Sequence, residues 1–273
     1  EDERHGGDIH TYAACVAKGV VFPEPQGINI NMMPFIIGHR GSLPMEFQQY
    51  WPLIDACNIE DAENGKVGFL TIHESMVDSG TSQRRPGLHV EAPRVVMKHG
   101  GRMVERFHEW GWSHGEYKVG GLYMGSNISQ SARIWNCMLH QPAKVVGIMG
   151  DVEHLRDALG EGTLMESGQL WWLTDTTPHE SLPLEETACR QYFRVVTSRV
   201  SLWYAKHSTA NPLGVQPTPT VTRTIMQDKF LQLTDIDSFI RVGEESEELQ
   251  RRRANEIEEA VEDNELGLVG LFD

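Results

Sequence analysis

Short apolar runs, separated by turn-forming residues, dominate the chain from residue 119 to residue 200. Runs of this length with regular turn signals predict strands, and their even spacing favours a barrel or sandwich over alternating strands and helices. Four similar runs occur earlier in the chain. The ten predicted strands cover residues 19–23, 28–37, 67–73, 87–91, 121–125, 131–139, 145–149, 169–174, 180–184 and 190–199.

Helical signals are fewer. Residues 46–57 carry apolar side chains at helical spacing, and residues 151–159 predict a small helix between strands. Residues 94–118 are rich in His, Trp and Gly and are interpreted as an insertion or lid, with a helix over 96–110. Residues 1–19 are expected to be helical or irregular.

The predicted fold class is therefore mainly β with flanking helices (α+β). Residues 1–207 are expected to form one large domain. Residues 208–234 contain several prolines and predict an extended arm, and residues 235–273 predict a charged helix with a short apolar tail. That tail either docks on the domain or contacts a partner chain, which leaves a homo-oligomer as one expectation.

Composition narrows the class of partner. The formal net charge is −15 and no basic stripe is present, which argues against nucleic acid, because phosphate contacts need clustered Lys and Arg. Four scattered cysteines without a CxxC pair favour a reducing compartment. No apolar run is long enough to span a membrane, so a cytoplasmic protein is expected. Because the sequence begins at Glu1, a removed presequence and an organelle matrix stay open.

Two His-x-Glu pairs are candidates for chemistry, His89 with Glu91 and His114 with Glu116. Alternate residues of a strand point to the same side, so this spacing aims both side chains into one cavity. Two imidazoles and one carboxylate on one face leave open positions on a non-haem iron(II) ion. The second imidazole is assigned to His179, and His89 with Glu91 is preferred because the pair ends a predicted strand.

Two arginines follow His179 along the chain. Arg190 lies eleven residues further on, which is enough for a short strand, a turn and entry into a paired return strand. The strand that begins at His179 is therefore predicted to form a hairpin with the strand that carries Arg190. Arg194 lies four residues after Arg190, so both side chains share one face of that strand. Inward-facing guanidinium groups need anions, and a dicarboxylate co-substrate would provide one.

This order of His-x-Glu, a distant His and an Arg eleven residues later resembles the 2-oxoglutarate/iron(II)-dependent oxygenase superfamily. It is most similar to the phytanoyl-CoA hydroxylase-like and taurine dioxygenase-like branches, over about residues 65–200. The resemblance implies a double-stranded β-helix (jelly-roll, cupin-like) barrel and an enzyme that oxidises a small or medium-sized metabolite. It also implies site roles: Fe(II) held by His89, Glu91 and His179, the distal carboxylate of 2-oxoglutarate by Arg190, and a second arginine at Arg194.

Two other functions stay open. One is a cupin-type metalloenzyme that does not use 2-oxoglutarate. The other is a non-catalytic barrel that acts as a binding or assembly subunit. The sequence contains no nucleophile elbow, phosphate-binding P-loop or dinucleotide-binding fingerprint, so hydrolase, kinase and dehydrogenase functions are not indicated.

Overall fold

The computed structural model describes residues 11–92, 94–99, 102–107, 120–139 and 141–226, and it describes 94–99 and 102–107 by their backbone alone. Strands outnumber helices throughout this part of the chain, which confirms the prediction of a mainly β protein with few helices. The strands are β1 (Ala13–Ala17), β2 (Asn29–Ile36), β3 (Val67–Val77), β4 (Arg94–His99), β5 (Arg102–Phe107), β6 (Leu122–Ser126), β7 (Ala132–Ile134), β8 (Thr163–Leu164), β9 (Leu170–Leu173), β10 (His179–Ser181), β11 (Ala188–Val196), β12 (Leu202–Tyr204) and β13 (Arg223–Ile225). The α-helices are α1 (Trp51–Ala56), α2 (Pro142–Val145) and α3 (Arg156–Leu159), and 3₁₀ helices cover Arg40–Ser42, Met45–Tyr50, Asp61–Glu63, Glu153–Leu155 and Ala205–His207.

The larger sheet has six antiparallel strands in the order β1, β9, β6, β11, β3, β2. Side chains alternate along a strand, so β11 directs Arg190, Tyr192 and Arg194 to one face and Gln191 and Phe193 to the other. Phe193 is fully buried in a hydrophobic core to which α1, β2 and β3 also contribute. Burying a side chain of this size stabilises the fold by about 1.5–3 kcal/mol, so β11 is anchored firmly between core and site.

The smaller sheet has three antiparallel strands in the order β10, β7, β8. The segment around His89 runs beside β10, because His89 and His179 exchange two backbone hydrogen bonds of 3.0 Å each. A second bridge joins His89 to Asp151. Neither sheet closes on itself within the described residues, so the closed barrel stays a prediction.

The helix predicted over residues 96–110 is wrong. β4 and β5 pair there as an antiparallel hairpin. The sequence between the two strands contains Gly100 and Gly101, and each glycine costs about 1 kcal/mol in a helix relative to alanine. The remainder of the predicted lid lies outside the described residues.

Several other predicted strands are also wrong or too long; residues 131–139, for example, form a strand only over Ala132–Ile134. Residues 145–149 form no strand, because Val145 is the last residue of α2 and a turn closed by the Gly150 N–H and the Gly147 carbonyl comes soon after it. Pro142 is tolerated in the first turn of α2, where its missing N–H costs nothing. Residues 19–23 form no strand, since Gly19 has a φ of +69° and Pro23 lacks an N–H donor. Residues 87–91 contribute only the bridge at His89.

A strand that the sequence did not indicate, β1, pairs with β9 at the edge of the larger sheet. The first nineteen residues were expected to be helical or irregular. The conformation of this segment is decided by its partners in β9. Trp172, the partner of Ala14, lies 158 residues further along the chain, so local propensity gives no sign of the pairing.

The predicted hairpin of β10 and β11 is not formed, because β10 belongs to the smaller sheet and β11 to the larger one. The connection between them is held by the chain near Thr81. The N–H of Leu184 donates to the Thr81 carbonyl (3.0 Å), and the N–H of Gly80 donates to the Leu184 carbonyl (2.8 Å). His179 and Arg190 therefore lie on different sheets rather than side by side.

The proline-rich segment packs along β2 at its start. The side chain of Asn211 is buried and donates hydrogen bonds to the carbonyls of Pro34 and Ser42 at 2.8 and 2.9 Å. Farther along, β13 pairs in parallel with β12. The predicted C-terminal helix and tail at residues 235–273 lie outside the described residues. None of the helices in the described ranges is long and apolar enough to cross a membrane.

Candidate metal and anion site

One cavity brings all five predicted site residues together. It has an empty volume of about 410 Å³, counting the part that is open to solvent, and side chains from both sheets line it. The alternative pair, His114 and Glu116, lies outside the described residues. The predicted residues that line the cavity are His89, Glu91, His179, Arg190 and Arg194, and their neighbours include Arg84, Arg85, Glu180, Ser181 and Tyr192.

The two imidazoles are adjacent because of the backbone pairing. His89 and His179 lie directly opposite each other in an antiparallel bridge, which places both side chains on the same face. Their ring centroids are 4.6 Å apart. Each ring is held by the same contact: Nδ1 of His89 lies 2.8 Å from the Gly87 carbonyl, and Nδ1 of His179 lies 3.0 Å from the Thr177 carbonyl.

These carbonyl contacts decide which nitrogen is available. A carbonyl oxygen can only accept, so each Nδ1 carries the proton and each Nε2 of the neutral ring carries the lone pair. Burial, reinforced by the nearby His179 and Arg85, lowers the pKa of His89 to about 3. His89 is therefore neutral at physiological pH. An imidazole whose Nδ1 donates to a carbonyl is oriented as metal-ligating histidines usually are.

The Glu91 carboxylate lies two residues beyond His89 on the same side of the chain. Its Oε1 accepts a hydrogen bond from Nη1 of Arg194 at 2.5 Å and lies 3.8 Å from Nε2 of His179. Burial alone would raise the pKa of Glu91, but the guanidinium of Arg194 and the imidazole of His179 hold it well below its usual range. The carboxylate is therefore ionised and held in place by Arg194.

Two imidazoles and one carboxylate are the donor types of a non-haem iron(II) site, so the residues fit that ion chemically. As the side chains stand, no group of three or more His, Cys, Asp or Glu residues in the described part of the chain is arranged to hold a metal ion. We attribute the lack of a ready metal site to the Glu91 carboxylate, because its Oε1 accepts a hydrogen bond from Arg194. Metal binding would need Glu91 to share its two oxygens between Arg194 and the ion.

Arg190 is the most unusual charge in the cavity. The residue is completely buried, and no carboxylate among the described residues pairs with it. Its Nε donates to Ser126 Oγ (3.3 Å) and its Nη1 to Ser181 Oγ (3.0 Å), while Nη2 has no hydrogen-bond partner among the described residues. Burial lowers the pKa of Arg190 to about 10, so the group stays charged at neutral pH.

A buried guanidinium with a free donor is costly unless an anion completes it, because desolvating a charge is unfavourable. The cavity offers that position beside the two imidazoles. The predicted role of Arg190 in binding a carboxylate therefore has a structural basis. The strand that carries Arg190, β11, pairs with β3 and β6 and not with β10 as expected.

Several lining residues were missed from the sequence. Tyr192 lies between the two predicted arginines on the same face of β11, and strand alternation alone would have placed it in the cavity. Arg84 and Arg85 form a basic doublet five residues before His89 in an otherwise acidic chain, which was the available signal. The pairing of Ser181 with Arg190 had no sequence signal, because the two lie on different sheets.

Comparison with known proteins adds little at the level of sequence. No family model matches the chain, and no curated protein is similar to it. Structures of HygX from Streptomyces hygroscopicus are weakly similar. The iron-bound form is 11% identical, with a TM-score of 0.34 over 77% of this chain and 92% of that one. The form with nickel and 2-oxoglutarate is 11% identical, with a TM-score of 0.32 over 69% and 80%. Likeness of this size decides neither the fold nor the chemistry, so the assignment depends on the cavity itself.

Proposed function

We propose that this chain is an iron(II)- and 2-oxoglutarate-dependent oxygenase built on a double-stranded β-helix. One observation carries the proposal: a buried guanidinium, whose Nη2 has no hydrogen-bond partner among the described residues, lines the same cavity as two imidazoles. The Nδ1 atoms of both rings contact backbone carbonyls, which leaves Nε2 of each ring as the nitrogen for a metal. A metal site alone would not need Arg190, and an anion site alone would not need the imidazole pair.

His89, His179 and Glu91 would hold the metal, and the bound ion would supply oxygen activation and oxidative decarboxylation of the 2-oxo acid. The imidazoles can serve because their Nδ1 contacts orient both rings and leave Nε2 as the nitrogen for a metal. Arg194 sets the direction of the Glu91 carboxylate and keeps it ionised. The protein thus presents imidazole and carboxylate donors on one side of the cavity.

Arg190 would bind the distal carboxylate of 2-oxoglutarate through Nη2. The hydroxyls of Ser126 and Ser181 accept hydrogen bonds from Nε and Nη1 and fix the plane of the guanidinium before the co-substrate arrives. Because the group is already desolvated, a carboxylate there forms a strong pair. Removing the guanidinium should cost roughly 2–5 kcal/mol of co-substrate binding.

A second candidate function has its own support. The ion pair of Glu91 with Arg194 satisfies the carboxylate without any metal, which favours an anion-binding barrel that performs no chemistry. A metalloenzyme that does not use 2-oxoglutarate is the third possibility. The three make different predictions for the purified full-length protein.

The experiment is anaerobic titration of the protein with iron(II) and 2-oxoglutarate, followed by visible absorption. We expect the weak charge-transfer band of a 2-oxo acid chelated to iron(II). Succinate, which lacks the keto oxygen, should give no band. The variant Arg190→Met should bind iron normally and lose the band at a 2-oxoglutarate concentration that saturates the wild type.

The other outcomes separate the alternatives. Iron binding without the band, in a folded protein, would replace the proposal with a metalloenzyme that does not use 2-oxoglutarate. Failure to bind iron at all would leave the anion-binding protein.

A further inference from the structure

Arg84 is a charged group of the cavity to which the proposed chemistry assigns no role. It is partly buried and lines the cavity. Its guanidinium carbon lies 5.0 Å from the centre of the Tyr192 ring. Among the described residues its guanidinium takes part in no hydrogen bond or ion pair. A cation-π contact of this kind contributes about 0.5–2 kcal/mol, which does not replace the hydration that a partly buried charge loses.

The cavity has more positive than negative charge. Four arginines line it against two glutamates, in a chain whose net charge is −15. Both glutamates already have partners: Glu91 binds Arg194, and Glu180 binds Arg156 from outside the cavity lining, with a 2.7 Å ion pair. No carboxylate in the lining is therefore left for Arg84.

The other cations are accounted for. Arg85 donates to the carbonyl of Met149 at 2.7 Å. Arg190 is the group that the distal carboxylate of 2-oxoglutarate would neutralise. Only Arg84 keeps a guanidinium that neither the described protein nor the proposed co-substrate satisfies.

We propose that Arg84 forms a second anion subsite, separate from Arg190, and that the molecule oxidised in this cavity carries a carboxylate, sulfate or phosphate group that binds there. The substrate class rests on the proposed function, whereas the anion subsite does not. Tyr192 supports both positions, because the guanidinium carbon of Arg190 also lies 5.8 Å from its ring centre. A small anionic substrate would thus be held at one end by Arg84, inside the cavity that contains the imidazole pair.

The test uses inorganic sulfate and the metal-free full-length protein, titrated by calorimetry at constant ionic strength with chloride as the balancing anion. We expect Arg84→Met to bind sulfate at least about tenfold more weakly than the wild type, which corresponds to about 1.4 kcal/mol. Methionine keeps the apolar contact with Tyr192, so the fold should be retained. Arg84→Lys keeps the charge and should recover most of the affinity.

Arg40→Met is the control, since Arg40 is exposed and does not line the cavity, and the sulfate affinity of this variant should stay near that of the wild type. The loss caused by Arg84→Met should also appear in an Arg190→Met background. Equal sulfate binding by wild type and Arg84→Met, or a loss that disappears in the Arg190→Met background, would overturn the second subsite.

This result is independent of the oxygenase proposal. If the iron and 2-oxoglutarate band is absent but sulfate binding depends on Arg84, the oxygenase proposal fails and the anion subsite stands. If the band is present and sulfate binding does not depend on Arg84, the oxygenase proposal stands and the anionic substrate class fails.

Discussion

Two buried polar clusters lie on opposite faces of β11, and they differ in whether their hydrogen bonds are complete. The first, which we call the Glu74 cluster, consists of Tyr50, Glu74 and Gln191. The second, the cavity cluster, consists of His89, Glu91, His179, Arg190 and Arg194. The same strand supplies Gln191 to one and both arginines to the other.

The Glu74 cluster is saturated. The Tyr50 hydroxyl donates to Glu74 Oε1 (2.5 Å), and the amides of Gln26 and Ile28 donate to Oε2 (2.6 and 2.8 Å). Gln191 Nε2 reaches both Tyr50 and Glu74 at 2.8 and 3.2 Å. A network in which every member is satisfied stabilises one arrangement of the chain, so this cluster fixes the segment before β2 onto the larger sheet.

The cavity cluster leaves donors unused. Within the part of the chain that the structure describes, Nη2 of Arg190 and Nε of Arg194 are buried and have no hydrogen-bond partner. Unsatisfied buried polar atoms are uncommon in native proteins, and each needs an explanation. The contrast on one strand suggests where to look for a ligand: the face that completes its own hydrogen bonds is structural, and under the proposed function the open donors of the other face receive an anion.

The largest effect should follow from breaking the saturated cluster. Glu74→Ala leaves a phenol, an amide side chain and two backbone N–H groups without their acceptor, and losing one partner of a buried charged network costs about 3–5 kcal/mol. We expect a loss of that size in the free energy of unfolding, measured by urea denaturation. Iron binding by the folded fraction should be unchanged.

The pH dependence of stability tests whether Glu74 is ionised in the folded protein. Burial alone would raise the pKa of Glu74, but hydrogen bonds from Tyr50, Ile28 and Gln26 lower it below the ordinary 4.5. A carboxyl whose pKa is lower in the folded state stabilises the fold above the unfolded value and loses that contribution as pH falls through the folded value. The stability difference between wild type and Glu74→Gln should therefore be complete at pH 7 and shrink below pH 4.5. A difference that stays constant down to pH 3 would contradict the ionised network.

The next effect tests the other cluster. His179→Ala should weaken iron(II) binding at least about hundredfold, or roughly 2.7 kcal/mol, because it removes one of two imidazole donors. The loss of unfolding free energy should be smaller than for Glu74→Ala, since the ring faces a cavity rather than packed core. Iron affinity is measured by anaerobic competition with a chromogenic chelator.

His154→Ala serves as the matched control, because His154 is exposed and does not line the cavity. Comparable losses of iron affinity in the two variants would remove the assignment of His179.

Strand alternation explains what the sequence could predict. It grouped His89 with Glu91 and Arg190 with Arg194, and the structure brings both pairs into one cavity. The roles of these residues toward iron and 2-oxoglutarate stay predictions.

What the sequence could not predict depends on contacts between distant residues. The path from β10 to β11 is decided by hydrogen bonds of Leu184 with Gly80 and Thr81, about a hundred residues earlier, so a local hairpin looked equally good. The Glu74 cluster was missed for the same reason. A glutamate and a glutamine in strands look like surface residues until Tyr50 and the chain before β2 cover them.

The smallest expected change in unfolding free energy is the most informative, because removing a charge should stabilise the cavity cluster but destabilise the Glu74 cluster. Arg190→Met removes a buried charge that lacks an anion and replaces it with a flexible apolar side chain of suitable length. The two serine hydroxyls lose a donor, but Ser181 lines the cavity and Ser126 Oγ still accepts from the N–H of Ile128. We therefore expect the ligand-free protein to gain about 1 kcal/mol in unfolding free energy, in line with the trade-off between stability and binding at functional sites. Urea denaturation without metal or 2-oxoglutarate measures it, with Arg85→Met as the control for loss of an arginine. A loss comparable to that of Glu74→Ala would mean that Arg190 is a structural group, and the distinction between the two faces of β11 would no longer hold.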